Sequence, residues 1–185
     1  MKKLALVSVL VAALFGALAV PALSQTSDTI EVTMSPQLLL SVIIDQEAVD
    51  YGTLALSPSN ASRTQMPSFT VSVRNTGNAP TNLVIAGSDA TSTLGSNTWV
   101  LNCDPADMGT VGMNQYVHRF WESTASVNDA QALCSDSDKE LATDVQPWTE
   151  QNNISVGFRL QLNMPTGTTG YGERTSTVTV TAVQP

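Results

Sequence analysis

Apolar residues recur at every second position in several stretches of this chain. Ile154, Val156, Phe158, Leu160 and Leu162 alternate with Ser155, Gly157, Arg159, Gln161 and Asn163. Phe69, Val71 and Val73 alternate with Thr70, Ser72 and Arg74, and Val178, Val180 and Ala182 alternate with Thr177, Thr179 and Thr181. Near the N-terminus, Ile30 and Val32 share one face of residues 29–34. A period of two turns one set of side chains to a core and the other to water, so each stretch predicts a half-buried strand. Residues 37–44 are more densely apolar and predict a strand buried on both faces or packed against a partner. Residues 51–56 predict a short strand, closed by Ser57, Pro58, Ser59 and Asn60. The turn-rich run Asn75-Thr76-Gly77-Asn78-Ala79-Pro80, followed by Leu83-Val84-Ile85-Ala86, predicts an antiparallel hairpin. The Gly-rich residues 165–172 predict a second, longer hairpin at the C-terminus. No segment sustains a helical period, and residues 127–133 are the only weak helix candidate.

Residues 87–147 break the rhythm. They hold both cysteines, two of the three tryptophans, the sole histidine and many Asp and Asn residues. Residues 116–121 predict a strand there, and the rest predicts long loops over a regular sandwich. Loops of that length are seldom featureless in a compact domain, which makes this region the first candidate for recognition. The composition agrees with a sheet protein: Thr and Val are stiff at Cβ and fit a pleated surface. The expected fold is all-β, an immunoglobulin-like two-sheet antiparallel sandwich of about 7–9 strands with a long disulfide-stapled loop region.

The first 24 residues predict a different fate. Met1, Lys2 and Lys3 precede an apolar run over residues 4–20, interrupted only by Ser8 and Gly16. Pro21 and the small residues Ala22 and Ser24 then form a cleavage site, the three-part pattern of a secretory signal peptide. A retained anchor is the alternative, though the run is at the short limit for spanning a bilayer. Residues 1–24 are therefore read as a signal peptide and residues 25–185 as a single domain, secreted to the exterior or cell surface, or to a periplasm if there are two membranes. The 185-residue chain carries 16 acidic and 8 basic side chains, and losing Lys2 and Lys3 makes the product more acidic still. That charge repels phosphate backbones and anionic lipid, so neither nucleic acid nor membrane insertion after cleavage is expected.

Cys103 and Cys134 read most simply as one disulfide in an exported chain, worth about 3.5 kcal/mol in the chain-entropy model. Two free thiols are the alternative. A metal site needs carboxylate help, because two cysteines and one histidine cannot complete a tetrahedron. His118, between Val117 and Arg119, reads as a surface or interface residue rather than a base. Asp104 with Asp107, and Asp136 with Asp138 and Glu140, are paired carboxylates. The second group resembles the start of a calcium loop, but the turn glycine is missing and Pro147 stands where the closing Glu would be. No Gly-x-Ser-x-Gly elbow or phosphate loop occurs, so the chain is read as a non-enzyme with no cofactor and no metal. Trp99 and Trp121 are candidate glycan-stacking residues, with Trp148 a third; core packing is the competing reading for all three. Asn60 and Asn153 head glycosylation-type triplets.

Asn75-Thr76-Gly77-Asn78, preceded by Tyr51-Gly52-Thr53-Leu54 and followed at the end of the chain by Gly170-Tyr171-Gly172 and the Thr177–Thr181 strand, resembles secreted prokaryotic immunoglobulin-like surface proteins. Among them the pattern is most similar to fibre-forming matrix proteins of the TasA and camelysin type. That resemblance implies a sandwich whose N-terminal strand, freed by signal cleavage, can insert into the next subunit. Thr98-Trp99-Val100-Leu101 resembles the first element of WxL cell-wall-binding domains, but the second element is missing. Two functional expectations follow. The first is an exported structural or surface protein that self-associates, or joins other surface proteins, by N-terminal strand addition. The alternative is a secreted binding module for a glycan or protein, using the Trp- and Asp-rich loops at 87–147.

Overall fold

The computed structural model describes residues 31, 33–35, 37–54, 56, 68–93, 97–104 and 111–185. The chain divides into two units, Met1–Pro36 and Gln37–Pro185. In the first, Glu31, Thr33, Met34 and Ser35 are exposed, and residues 1–24, expected to be a signal peptide, lie outside the described residues. The second is all-β. Its strands are β1 (Val42–Ile44), β2 (Phe69–Asn75), β3 (Thr81–Gly87), β4 (Ala90–Ser92), β5 (Thr98–Leu101), β6 (Gln115–Glu122), β7 (Gln131–Ala132), β8 (Lys139–Val145), β9 (Val156–Asn163), β10 (Arg174–Thr175) and β11 (Val178–Val183).

Two sheets share them. The larger runs β1-β2-β9-β6-β5-β4-β10, with β7 also paired to β6, and the smaller runs β11-β3-β8. The period-two residues meet between them. Val71 and Val73 of β2, Leu83 and Ile85 of β3, Tyr116 and Phe120 of β6, Phe158 and Leu160 of β9, and Val180 of β11 belong to one buried cluster. Burying aliphatic and aromatic side chains of this size contributes about 1.5–3 kcal/mol each, which makes this cluster the main source of stability. On the opposite face of β6, Val111, Val117 and Ala132 form a small second cluster.

Several expectations are corrected. There are eleven strands among the described residues rather than 7–9, and the larger sheet is mixed, because β5 pairs with β6 in parallel. Residues 87–147 are not loops over a finished sandwich: they supply β4 to β8. Their strands are short or carry polar faces, so alternation is weak there. Residues 127–133 form a single 3-10 turn, Val127–Asp129, capped by Ser126, and then β7. Residues 51–54 and 56 form no strand; Leu54 and Leu56 pack on the core as irregular chain.

Neither expected hairpin forms. β2 pairs with β1 and β9, whereas β3 pairs with β11 and β8. β9 and β11 likewise lie in different sheets. Alternation reports which face is apolar and is the same whether two strands lie side by side or face each other across a core. Asn75 settles the choice. Its side chain is fully buried, donates from Nδ2 to the carbonyls of Ala79 (2.9 Å) and Val145 (2.8 Å), and accepts from the Gly77 N–H (2.9 Å). The turn is thereby folded over as an arch from one sheet to the other.

The same arch holds the N-terminal strand. Thr76 and Gly77 both donate to the Ser41 carbonyl (2.9 and 3.2 Å), Asn78 N–H donates to Leu39 (3.1 Å), and the Asn78 side chain bonds Leu39 N–H (2.9 Å) and the Gln37 carbonyl (2.7 Å). A Cβ at Gly77 would lie 2.3 Å from the Leu39 oxygen, so only glycine permits this approach. We expect Asn75→Ala, which orphans two carbonyls and an N–H, to cost about 3 kcal/mol in urea unfolding with an unchanged m-value. Gly77→Ala should cost on the order of 2 kcal/mol and expose residues 37–44 to limited proteolysis. A variant as protected as the parent would show that the arch does not hold this strand.

Candidate functional site

The side chains with chemical potential fall in three places. The first is inside the sandwich. His118 on β6 is 4% exposed, and its Nε2 lies 2.9 Å from the Tyr51 hydroxyl. With the proton on Nδ1, Nε2 accepts from that hydroxyl. Tyr51 packs edge-on against Phe69, with ring centroids 5.1 Å apart, and against His118 at 5.8 Å. Burial lowers the imidazole pKa to about 4 and raises that of the Tyr51 phenol. The expected surface or interface histidine is therefore a neutral, buried core residue.

The second place is the tryptophan set. Trp99 is 8% exposed and Trp121 5%. The Arg174 guanidinium lies 4.4 Å above the Trp99 ring centroid, and Trp99 Nε1 donates to Thr168 Oγ1 (3.0 Å). Arg174 also donates to the carbonyls of Asn97 and Gly170, tying residues 168–174 to the start of β5. Trp148 is half-buried, with Arg74 over its ring at 5.1 Å and its Nε1 donating to Asn153 Oδ1 (2.7 Å). Arg74 in turn pairs with Asp45 beside β1 (Nε to Oδ1, 3.0 Å). The Trp99 and Trp148 rings clamp loops to strands. Neither Trp99 nor Trp121 presents an open flat face for a sugar in this conformation.

The third place joins residues far apart in sequence. Cys103 follows β5, Cys134 follows β7, and both are free thiols in this structure. Their Sγ atoms and a carboxylate oxygen of Asp136 all lie within 4.8 Å of one another. This is the convergent group of metal-type ligand atoms among the described residues. Cys134 is buried, Cys103 half-buried and Asp136 exposed. A hydrogen bond to Cys134 and partial burial push the Cys103 thiol up to about 11; the Asp136 charge adds to this and Lys139 opposes it. Asp136, Asp138 and Glu140 are exposed and do not converge on one another within that distance. Asp107 and Asn60 lie outside the described residues.

Sheet edges complete the picture. β1 closes the large sheet at one end, and Leu38 (45% exposed), Leu39 (56%) and Ile43 (50%) leave apolar surface beside it. The two edges of the small sheet differ. β8 carries Lys139, Glu140 and Asp144, has two register shifts against β3, and turns through a positive φ at Asp144. β11 reads Val-Thr-Val-Thr-Ala-Val, is uncharged, and pairs with β3 in an unbroken six-residue register. Charge and bulges protect an edge from pairing with another chain, and β11 has neither. Sequence reading missed this contrast, because it follows from which strands end the sheets.

Among known proteins, no family model and no curated protein matches the chain.

Stability should report the buried imidazole. In the unfolded chain His118 takes up its proton near pH 6.5, whereas in the folded state it stays neutral to about pH 4. The unfolded state binds more protons in that window, so stability falls as pH drops from about 6.5 to 4, by about 3 kcal/mol in all. His118→Gln should remove this part of the slope. Equal pH slopes for parent and variant between pH 4 and 6.5 would place His118 in contact with water.

Proposed function

We propose that this chain is an exported structural protein, built on an immunoglobulin-like sandwich, that assembles through its sheet edges and carries out no catalysis. The observation that supports this most directly is the unguarded β11 edge in a molecule whose β8 edge is guarded. An uncharged six-residue strand of β-branched and small residues suits backbone pairing with an incoming strand.

The donor follows from the arch. Residues 37–45 are already engaged on β2, through Ser41, Leu39 and the Asp45 N–H to the Ser72 carbonyl (2.9 Å). The stretch proposed as donor is then residues 25–36, where Ile30, Val32 and Met34 repeat the period of two in the sequence. At about 3.3 Å per residue, twelve residues reach roughly 40 Å, more than enough to span β11. The neutral, buried His118 supports a non-catalytic reading. The burial of Trp99 and Trp121 leaves the glycan-binding alternative without a stacking platform at those two positions.

The experiment compares three proteins that begin at Gln25: the parent, one lacking residues 25–34, and Thr179→Lys/Thr181→Lys. Thr179 and Thr181 are exposed, so the lysines should change monomer stability by no more than about 0.5 kcal/mol. We expect polymers from the parent by size exclusion and electron microscopy, and at least a tenfold loss from both variants. Polymers unchanged in the deletion would remove residues 25–34 as the donor. Polymers unchanged in the double-lysine protein would remove β11 as the acceptor.

A further inference from the structure

Cys103 and Cys134 are 31 positions apart, and the strands that lead to them are fixed independently. Asn102 N–H donates to the Tyr116 carbonyl (2.8 Å), which holds the end of β5 against β6. Leu133 N–H donates to the His118 carbonyl (2.8 Å), and the Cys134 carbonyl accepts from Gly87 N–H (2.9 Å), so Cys134 is held between β6 and the end of β3. Neither thiol sits on a free loop tip. The fold brings the two sulfurs within 4.8 Å of each other from the ends of two different strands.

The two thiols differ in access. Cys134 is 1% exposed, whereas Cys103 is half-buried. We propose that Cys103 and Cys134 are a disulfide-forming pair in which Cys103 reacts first and Cys134 resolves, and that the bond is a permanent clasp between the ends of β5 and β7. The Cys103 thiolate attacks a sulfur of an external disulfide, a thiol–disulfide oxidoreductase of the export compartment or oxidised glutathione in vitro. One thiol of the donor leaves, and a mixed disulfide remains on Cys103. The Cys134 thiolate then attacks the Cys103 sulfur and expels the second donor thiol. Two protons and two electrons pass from the pair to the donor, which ends as two thiols.

The surroundings suit a clasp better than a redox catalyst. Catalytic dithiols carry a stabilised thiolate, which makes their disulfides oxidising. Here the hydrogen bond to Cys134, burial and the Asp136 carboxylate all disfavour a thiolate at Cys103, so the pair lacks the stabilised thiolate of a redox catalyst. The proposal rests on export only for its supply of oxidant.

The test uses the purified, reduced chain from Gln25 onward in a glutathione redox buffer, so a failed clasp is read separately from failed export. Intact mass should show the loss of two hydrogens, and neither thiol should then be alkylated in denaturant. Cys134→Ala should stop at a glutathione adduct on Cys103, whereas folded Cys103→Ala should take up no adduct. Reduction should lower the Tm by about 10 °C. Cys103→Ser/Cys134→Ser should show the lowered Tm and ignore reductant. The proposal is overturned if both thiols stay alkylatable under oxidising glutathione, if the adduct forms on Cys134, or if the reduced protein retains one zinc ion on the two sulfurs and Asp136. The mass and alkylation readouts need no variant, so they stand even if a substitution unfolds the chain.

Discussion

A buried asparagine fixes how this chain is folded over. Asn75 sits where the chain leaves the large sheet for the small one, with no access to water and every polar atom of its side chain bonded within the protein. A buried amide is tolerated only when it is satisfied, and a satisfied one specifies a single geometry. Two of its partners are carbonyls of the arch and of β8. The third, the Gly77 N–H, turns the arch so that Thr76, Gly77 and Asn78 reach back to residues 39–41. The crossing between sheets, the seating of β8 and the docking of the N-terminal strand therefore depend on one set of hydrogen bonds.

From that crossing the remaining architecture follows. β2 and β3 face each other across the core instead of pairing, so each must find partners elsewhere: β1 and β9 for the first, β11 and β8 for the second. The long region between β3 and β8 extends the large sheet through β4, β5 and β6 and returns by β7. It places Cys103 and Cys134 side by side, and it carries His118 into the interior, where Tyr51 meets it from an irregular segment. The proposed assembly and the proposed clasp both lie at strand ends and sheet edges.

The tryptophans that could have offered stacking faces are packed against the framework. Trp99 lies under Arg174, Trp121 is buried, and Trp148 is half-covered by Arg74. A tryptophan in a polar stretch gives the same sequence signal whether its ring faces water or a neighbouring loop. The guanidinium that covers Trp99 comes from 75 positions away, so local composition could not report it.

The sequence alone determined the all-β class and most of the long strands: β2, β6, β9 and β11 lie where alternation or an apolar run put them, because a two-residue period is a local property of the pleat. It also named the two cysteines and the turn at residues 75–80. Tertiary structure alone decided that the turn is an arch, that the sheets number eight strands and three, that β5 and β6 run parallel, and which edges are left open. It likewise made His118 a core residue and brought Asp136 to the thiols. The reason is the same in each case: alternation states which face of a strand is buried, but the partner on the other side is chosen by buried hydrogen bonds between residues distant in sequence, of which Asn75 to Val145 is the clearest.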